Sequence, residues 1–290
     1  RMDRCLNPIQ QVNLLGSYDD ESICLASAAL GLSLMGNQPM SFYTDHLAEL
    51  SDAVAAYYAS IAGGDLHADE ANNNNQHDIK KKLRSIQAVV YDQYHYHGNY
   101  DQYEELENAD LCSVIERKKG MPIPLGIICM HVAKAQGWNI VGIGLPGHFI
   151  CRLEANGERI IFDPFHHANI VNAVDLRRLL KLALGSEAEL KPEHYQAMSN
   201  RKTLLRLQNN IKQRQVEKHN FLDAIITLDS MRKIAPDEAE LLLDAGQLYA
   251  QANQPRAAIN ALSRYLDRSP SQYGRTKASV LIQQMKRRLD

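Results

Sequence analysis

Apolar positions recur at helical spacing from residue 17 to 62, first through "ESICLASAALGLSLM" and then through "TDHLAELSDAVAAYYASIA", for which Thr44 is the predicted N-cap. The pattern breaks at "GGDLHADEANNNNQHD" (63 to 78), whose two glycines and four successive asparagines predict a flexible surface loop. A helical stripe resumes through Ile79, Leu83, Ile86 and Val90. "LCSVIERKKG" (111 to 120) predicts a short helix ended by Gly120, with Arg117, Lys118 and Lys119 near its negative end. "PLGIICMHVAKAQG" is apolar on most sides up to Lys134 and stops at Gly137, which predicts a helix at the centre of the fold. "WNIVGIGLPGHFICRL" and "ERIIFDPF" are rich in Ile, Val and Phe and joined by the turn-forming "EANG", so they predict consecutive antiparallel strands.

Strand signals vanish after residue 175, and an internal repeat takes over. Pro236 and Pro270 are 34 residues apart, as are Ala224 and Ala258, Ile225 and Ile259, and Leu228 and Leu262, which is the tetratricopeptide period. Leu242, Gly246, Tyr249, Ala258, Leu262 and Pro270 fall where that repeat requires its large, small, aromatic and terminating residues. The preceding unit has Lys212 and Gln215 in place of Gly and Tyr. About two units is too short an array to stand alone, so docking on the N-terminal part is expected.

Composition narrows the function classes. The 290 residues are 45% hydrophobic and 23% charged, which fits a soluble globular chain with room for two domains. No apolar run approaches a membrane span, and a net charge of -2 gives no general pull toward nucleic acid. Neither a membrane nor a nucleic-acid partner is therefore expected. Five scattered cysteines (Cys5, Cys24, Cys112, Cys129, Cys151) and the absence of an apolar signal segment in "RMDRCLNPIQ" predict reduced thiols and a cytoplasmic location.

The chemistry centres on His148, opening one predicted strand, and Asp163, closing the next. Such a pair is the base and orienting carboxylate of a nucleophilic triad, a structural hydrogen bond closing a hairpin, or a binding pocket on such a frame. Strand alternation puts His148, Ile150 and Arg152 on one face and Phe149, Cys151 and Leu153 on the other, so Cys151 points away from the histidine. His95 and His97 share a face in extended chain, and with His166, His167 and Asp163 they make a metal site conceivable. No tight ligand motif such as HExxH or paired CxxC appears, and neither a metal nor another cofactor is expected.

A nearly all-apolar helix, a strand entered by His and a strand ending in Asp-Pro resemble the order of the transglutaminase-like, papain-related superfamily. More narrowly, residues 80 to 270 resemble bacterial SirB-type proteins, whose "GxP", "GLPGHF" and "DPF" signatures appear at Gly120 to Pro122, Gly144 to Phe149 and Asp163 to Phe165. "HGNY" (97 to 100) and "NADL" (108 to 111) resemble two further blocks, the second with Ala109 where the family has Ser.

The resemblance implies an α+β fold: a papain/transglutaminase-like core of helices and a small antiparallel sheet over 1–178, then an all-α tetratricopeptide-type domain over 179–290. It matches His148 to the base and Asp163 to the carboxylate. It marks Asn99, Asn108, Pro122, Gly147 and Phe165 as candidate binding positions. The superfamily nucleophile sits at the start of the central helix, near Pro122 to Pro124 here, where there is no cysteine. Cys129 lies roughly 8 Å further along the axis at ~1.5 Å per residue, among Ile127, Ile128 and Met130, where a thiolate has no support. Cys112 sits in the first turn of the preceding helix, but nothing aims it at His148.

Three functions compete, the least favoured being a histidine-based metalloprotein. The first is a non-enzymatic regulator or scaffold that binds a cytoplasmic protein or peptide partly through its repeats, in gene regulation as the family's name implies. The second is a cysteine-type hydrolase or acyl-transferase with His148 and Asp163 serving Cys129, or a hydroxyl such as Ser113. Oligomeric state is not legible in the chain.

Overall fold

The computed structural model describes residues 7–62, 71–268 and 271–289. Cys5 and Pro270 lie outside them. Helices α1 (Pro8–Leu14) and α2 (Leu25–Gly31) lead into α3 (Met40–Ala62). Thr44 lies inside α3, its hydroxyl donating to Ser41 O, so it is not the N-cap that its position before the apolar stripe suggested. Helix α4 (Ala71–Ile86) takes in residues 71 to 78, whose composition suggested a loop. Propagation from a packed stripe adds one hydrogen bond per residue and carries the helix through its asparagines. A π-helical segment, Gln87–Gln93, continues from α4, and β1 (His97–Gly98) follows.

Helix α5 (Leu111–Arg117) is capped by Asp110, which accepts from Ser113 N and also from Ser33 Oγ and Leu34 N. It ends at Lys118, in the left-handed region at φ 60°, and not at Gly120, which pairs in β2 (Lys119–Gly120) with β1. Helix α6 (Pro122–Ala135) is buried over nearly its whole length and packs on α2, α3, α4, α5 and the sheet. An apolar surround is the stable place for a helix without a polar face.

The antiparallel sheet has the order β6-β5-β4-β3-β7, from β3 (Asn139–Ile143), β4 (Ile150–Ala155), β5 (Glu158–Asp163), β6 (Asn169–Ile170) and β7 (Ala197–Met198). Asn156 and Gly157 both take positive φ between the paired residues Ala155 and Glu158, the geometry of a two-residue hairpin turn. Phe149, Cys151, Leu153 and Phe162 enter the main core, and a Cβ at Gly126 of α6 would lie 2.5 Å from the Phe149 ring, so helix and strand meet flush. Ile143 and Ile150 face the other way, onto Leu176 and Leu180 of α7 (Ala173–Leu184). Strand β7 is a structural addition to the all-helical expectation after residue 175: two residues are too few to show an alternation. Both it and the second half of α7 lie beyond the boundary expected at 178.

Helices α8 (Asn200–Glu217), α9 (Phe221–Ile234), α10 (Glu240–Gln251), α11 (Pro255–Arg268) and α12 (Gln272–Arg287) pack as successive antiparallel neighbours. The atypical residues of the first unit find partners: Lys212 pairs with Asp244 at 2.5 Å, and Gln215 accepts from Thr227 Oγ1 at 2.8 Å. The repeats dock on the N-terminal part through α8. Its Arg201 guanidinium reaches Leu15 O, Tyr18 O and Ile234 O, and its first-turn N–H groups bind the Asp20 carboxylate. Among the described residues no helix is long and apolar enough to cross a membrane.

Gly246 lies against fully buried Leu262, whose Cγ would be 2.3 Å from an added Cβ. Overpacking costs ~1–3 kcal/mol, more than the up to about 1 kcal/mol that Ala gains over Gly in a helix. G246A is thus expected to lower the urea midpoint at unchanged m-value; an unchanged or higher midpoint would show that the two helices do not close on that glycine.

Candidate functional site

His148 is presented by a turn. Pro146 and Gly147 occupy its central positions, Gly147 at φ 72°, and His148 N donates to Leu145 O at 2.9 Å, the arrangement of a type II turn. A Cβ on Gly147 would also press on Ala183 of α7 at 3.0 Å. From the other side Arg206 of α8 donates to Leu145 O (3.1 Å) and His148 O (2.9 Å).

His148 Nε2 and Asp163 Oδ2 are 2.7 Å apart. His166 Nδ1 reaches the same oxygen, also at 2.7 Å, while Phe165 N donates to Oδ1 at 2.9 Å. Asp163 is 4% exposed. Burial opposes its charge, but the hydrogen bonds and charge interactions of His148 and His166 outweigh burial and hold its pKa below the ordinary carboxylate value.

The thiols are elsewhere. Cys129 is fully buried, and its hydrogen-bond partner is Tyr91 Oη at 3.3 Å, a hydroxyl that also donates to Pro164 O at 2.6 Å. Burial pushes the Cys129 thiol up to about 12 against a smaller opposing effect of Tyr91. Cys151 is buried in the main core, its thiol raised well above the ordinary value by burial. Cys112 lies beside Ser33 and Tyr43, its thiol pushed up to about 12 by burial, and Ser113 is buried in the first turn of α5. Among the described residues none of these groups is hydrogen-bonded to His148.

The other sequence candidates are placed as follows. Asn99 and Asn108 are buried and bonded to each other at 3.0 Å; Asn108 also donates to Gln102 O and its backbone O accepts from Met121 N, so the pair ties the 99–108 loop to the start of α6. Pro122 is buried in the first turn of α6, and Phe165 stacks edge-on between Tyr100 and Tyr103, its carbonyl against Gly98. Of the histidines considered together, only His166 joins His148 and Asp163. His97 Nδ1 lies 3.0 Å from its neighbour's carbonyl, and His167 packs on the Tyr91 ring.

Two groups make contacts that had no signal in the sequence. Arg206 lies in a different segment from the turn it holds. Lys118 Nζ sits 2.8 Å from His46 Nε2 and 4.7 Å from the centre of the Tyr96 ring; burial lowers this amine to about 8 and, with the Lys118 charge, lowers His46 to about 4. A left-handed non-glycine residue is visible only in coordinates.

An apolar helix under a sheet, with His148 just before β4 and Asp163 at the end of β5, is the arrangement that the resemblance to the transglutaminase-like superfamily implied. A family model described as the transglutaminase-like superfamily matches residues 43–209, and one for the tetratricopeptide repeat matches 211–287. The chain belongs to the transglutaminase-like superfamily and carries C-terminal tetratricopeptide repeats. It is 28% identical over 262 residues to a UPF0162 protein of Xylella fastidiosa, covering 89% of both chains. It is 26% identical over 197 residues to a UPF0162 protein of Vibrio cholerae (68% of this chain, 73% of that one). Protein SirB1 of Salmonella typhimurium is 22% identical over 191 residues (66% and 71%).

Because Asp163 has a lower pKa folded than unfolded, its stabilising contribution is complete above the unfolded value of about 4 and is lost as pH falls through the folded value. D163N removes the charged acceptor of two imidazoles and is expected to cost ~1–3 kcal/mol at pH 7. Denaturation curves from pH 2 to 7 should show the difference between the two proteins shrinking below about pH 4. A constant difference across that range would contradict the assignment.

Proposed function

We propose that this chain is a regulatory or scaffold protein that binds a protein or peptide partner, and that its transglutaminase-like domain performs no acyl transfer. The observation that carries this reading is the position of Cys129, sealed in the core and bonded to Tyr91. At a thiol pKa of about 12 only on the order of 10⁻⁵ of it is thiolate at pH 7. The start of α6, where an acyl-transfer site needs a thiol and N–H donors for an oxyanion, has Pro122 and Pro124 instead, each without an N–H. Tetratricopeptide repeats generally mediate protein–protein contacts, which supports partner binding as the function of the 211–287 region.

The test is alkylation of the native chain by iodoacetamide at pH 7, read by peptide mass spectrometry. Cys129 is expected to stay unmodified until the chain is unfolded, at a rate indifferent to H148A. Rapid native labelling of Cys129 that H148A abolishes would reinstate the thiol hydrolase.

A further inference from the structure

His148 Nε2, Asp163 Oδ2 and His166 Nδ1 all lie within 4.8 Å of one another, and they are three atoms of the kinds that ligate transition metals. Two imidazoles converging on one carboxylate oxygen is more than a triad's orienting pair requires. Tetrahedral coordination with bonds of about 2.0–2.1 Å separates neighbouring ligand atoms by about 3.3 Å. The two nitrogens stand 2.7 Å from Oδ2, so small outward rotations of the rings open that space. On binding, each nitrogen offers its lone pair and the proton it now donates to Asp163 moves to the other nitrogen of its ring.

The surroundings fix the set as a metal site needs. Phe165 N–H holds Oδ1, which leaves Oδ2 aimed at the imidazoles, the kind of outer hydrogen bond that orients ligating carboxylates. His148 is anchored through its own backbone by Leu145 and Arg206. His166 is presented by a turn in which both following residues, His167 and Ala168, take left-handed φ (54° and 52°), and Gln87 Nε2 donates to Ala168 O. Consecutive non-glycine residues in that region cost of order 1–3 kcal/mol each, and such strain clusters at ligand-holding sites. Side-chain exposure rises from 6% at Asp163 through 14% at His148 to 47% at His166, so the carboxylate forms the floor and an ion enters past the outer histidine. Among the described residues no Lys or Arg pairs with Asp163, leaving this buried carboxylate without a permanent cation.

We propose that His148, Asp163 and His166 bind one divalent transition-metal ion such as Zn(II), with its remaining coordination positions open to solvent. This goes beyond the partner-binding reading and does not depend on it, since no ligand atom comes from the repeats or from Cys129.

The test uses the full chain, stripped with chelator and dialysed, and titrated with Zn(II) by calorimetry and with Co(II) by visible absorption. One ion per chain is expected, with the intense d–d bands of low-coordinate Co(II). H166Q, at the more exposed of the two histidine positions, and H148Q should each weaken binding about ten-fold or more, with circular dichroism reporting that each variant is folded. H219Q, at an exposed histidine in the turn between α8 and α9, should not change it. Absence of binding tighter than millimolar would overturn the proposal. Binding equal in native chain and H166Q, or lost equally in H219Q, would overturn it too, by assigning the ion to surface histidines.

Discussion

A single carboxylate organises this site. Asp163 is nearly sealed from solvent, yet keeps its charge because three N–H groups converge on it: two imidazoles on one oxygen, the Phe165 amide on the other. An isolated carboxylate at such a depth would cost several kcal/mol and would take up a proton instead. Much of the surrounding backbone serves that convergence. The strand β5 delivers Asp163, the Pro146–Gly147 turn delivers His148, and the left-handed turn after residue 166 returns His166 to the same oxygen. Removing the charge leaves three donors competing for weaker acceptors.

The same economy explains why the thiols do not join in. Helix α6 fills the core because nearly every face of it is apolar, and a cysteine midway along such a helix takes the environment of its neighbours. The π-helical turn at 87–93 inserts the Tyr91 ring, and its hydroxyl bridges Cys129 and the carbonyl of Pro164. That bridge uses the sulfur as a packing group beside the Asp163 segment. A helix terminus would lower a thiol pKa; the interior raises it.

Local turn chemistry made the hairpin legible: Asn156–Gly157 and Pro146–Gly147 are turns that few other dipeptides form, and the alternation along 149–153 sorts the two sheet faces. The repeat period was equally plain, and the close fit of Gly246 on Leu262 gives its physical reason. What failed was anything decided across distance. Thr44 looked like a cap because a capping residue precedes an apolar stripe, but tertiary packing extends α3 back to Met40. Gly120 looked like a helix terminator, yet Lys118 takes that conformation and Gly120 is needed where Val114 and the Asn108 carbonyl crowd it. His166 was grouped with His95, His97 and His167 by residue type alone; only the turn at 166–168 selects it.

The two family matches meet within one helix. The superfamily match ends at residue 209 and the repeat match begins at 211, both inside α8. At its start Arg201 holds three carbonyls, two of them in the N-terminal segment, and five residues on Arg206 holds the carbonyls on either side of the Gly147 turn. Hydrogen bonds from a charged donor are worth about 1.5–3 kcal/mol each. The Arg206 hydrogen bonds tie α8 to the turn that carries His148. The helix that opens the repeats and the turn that presents His148 are thus one hydrogen-bonded unit.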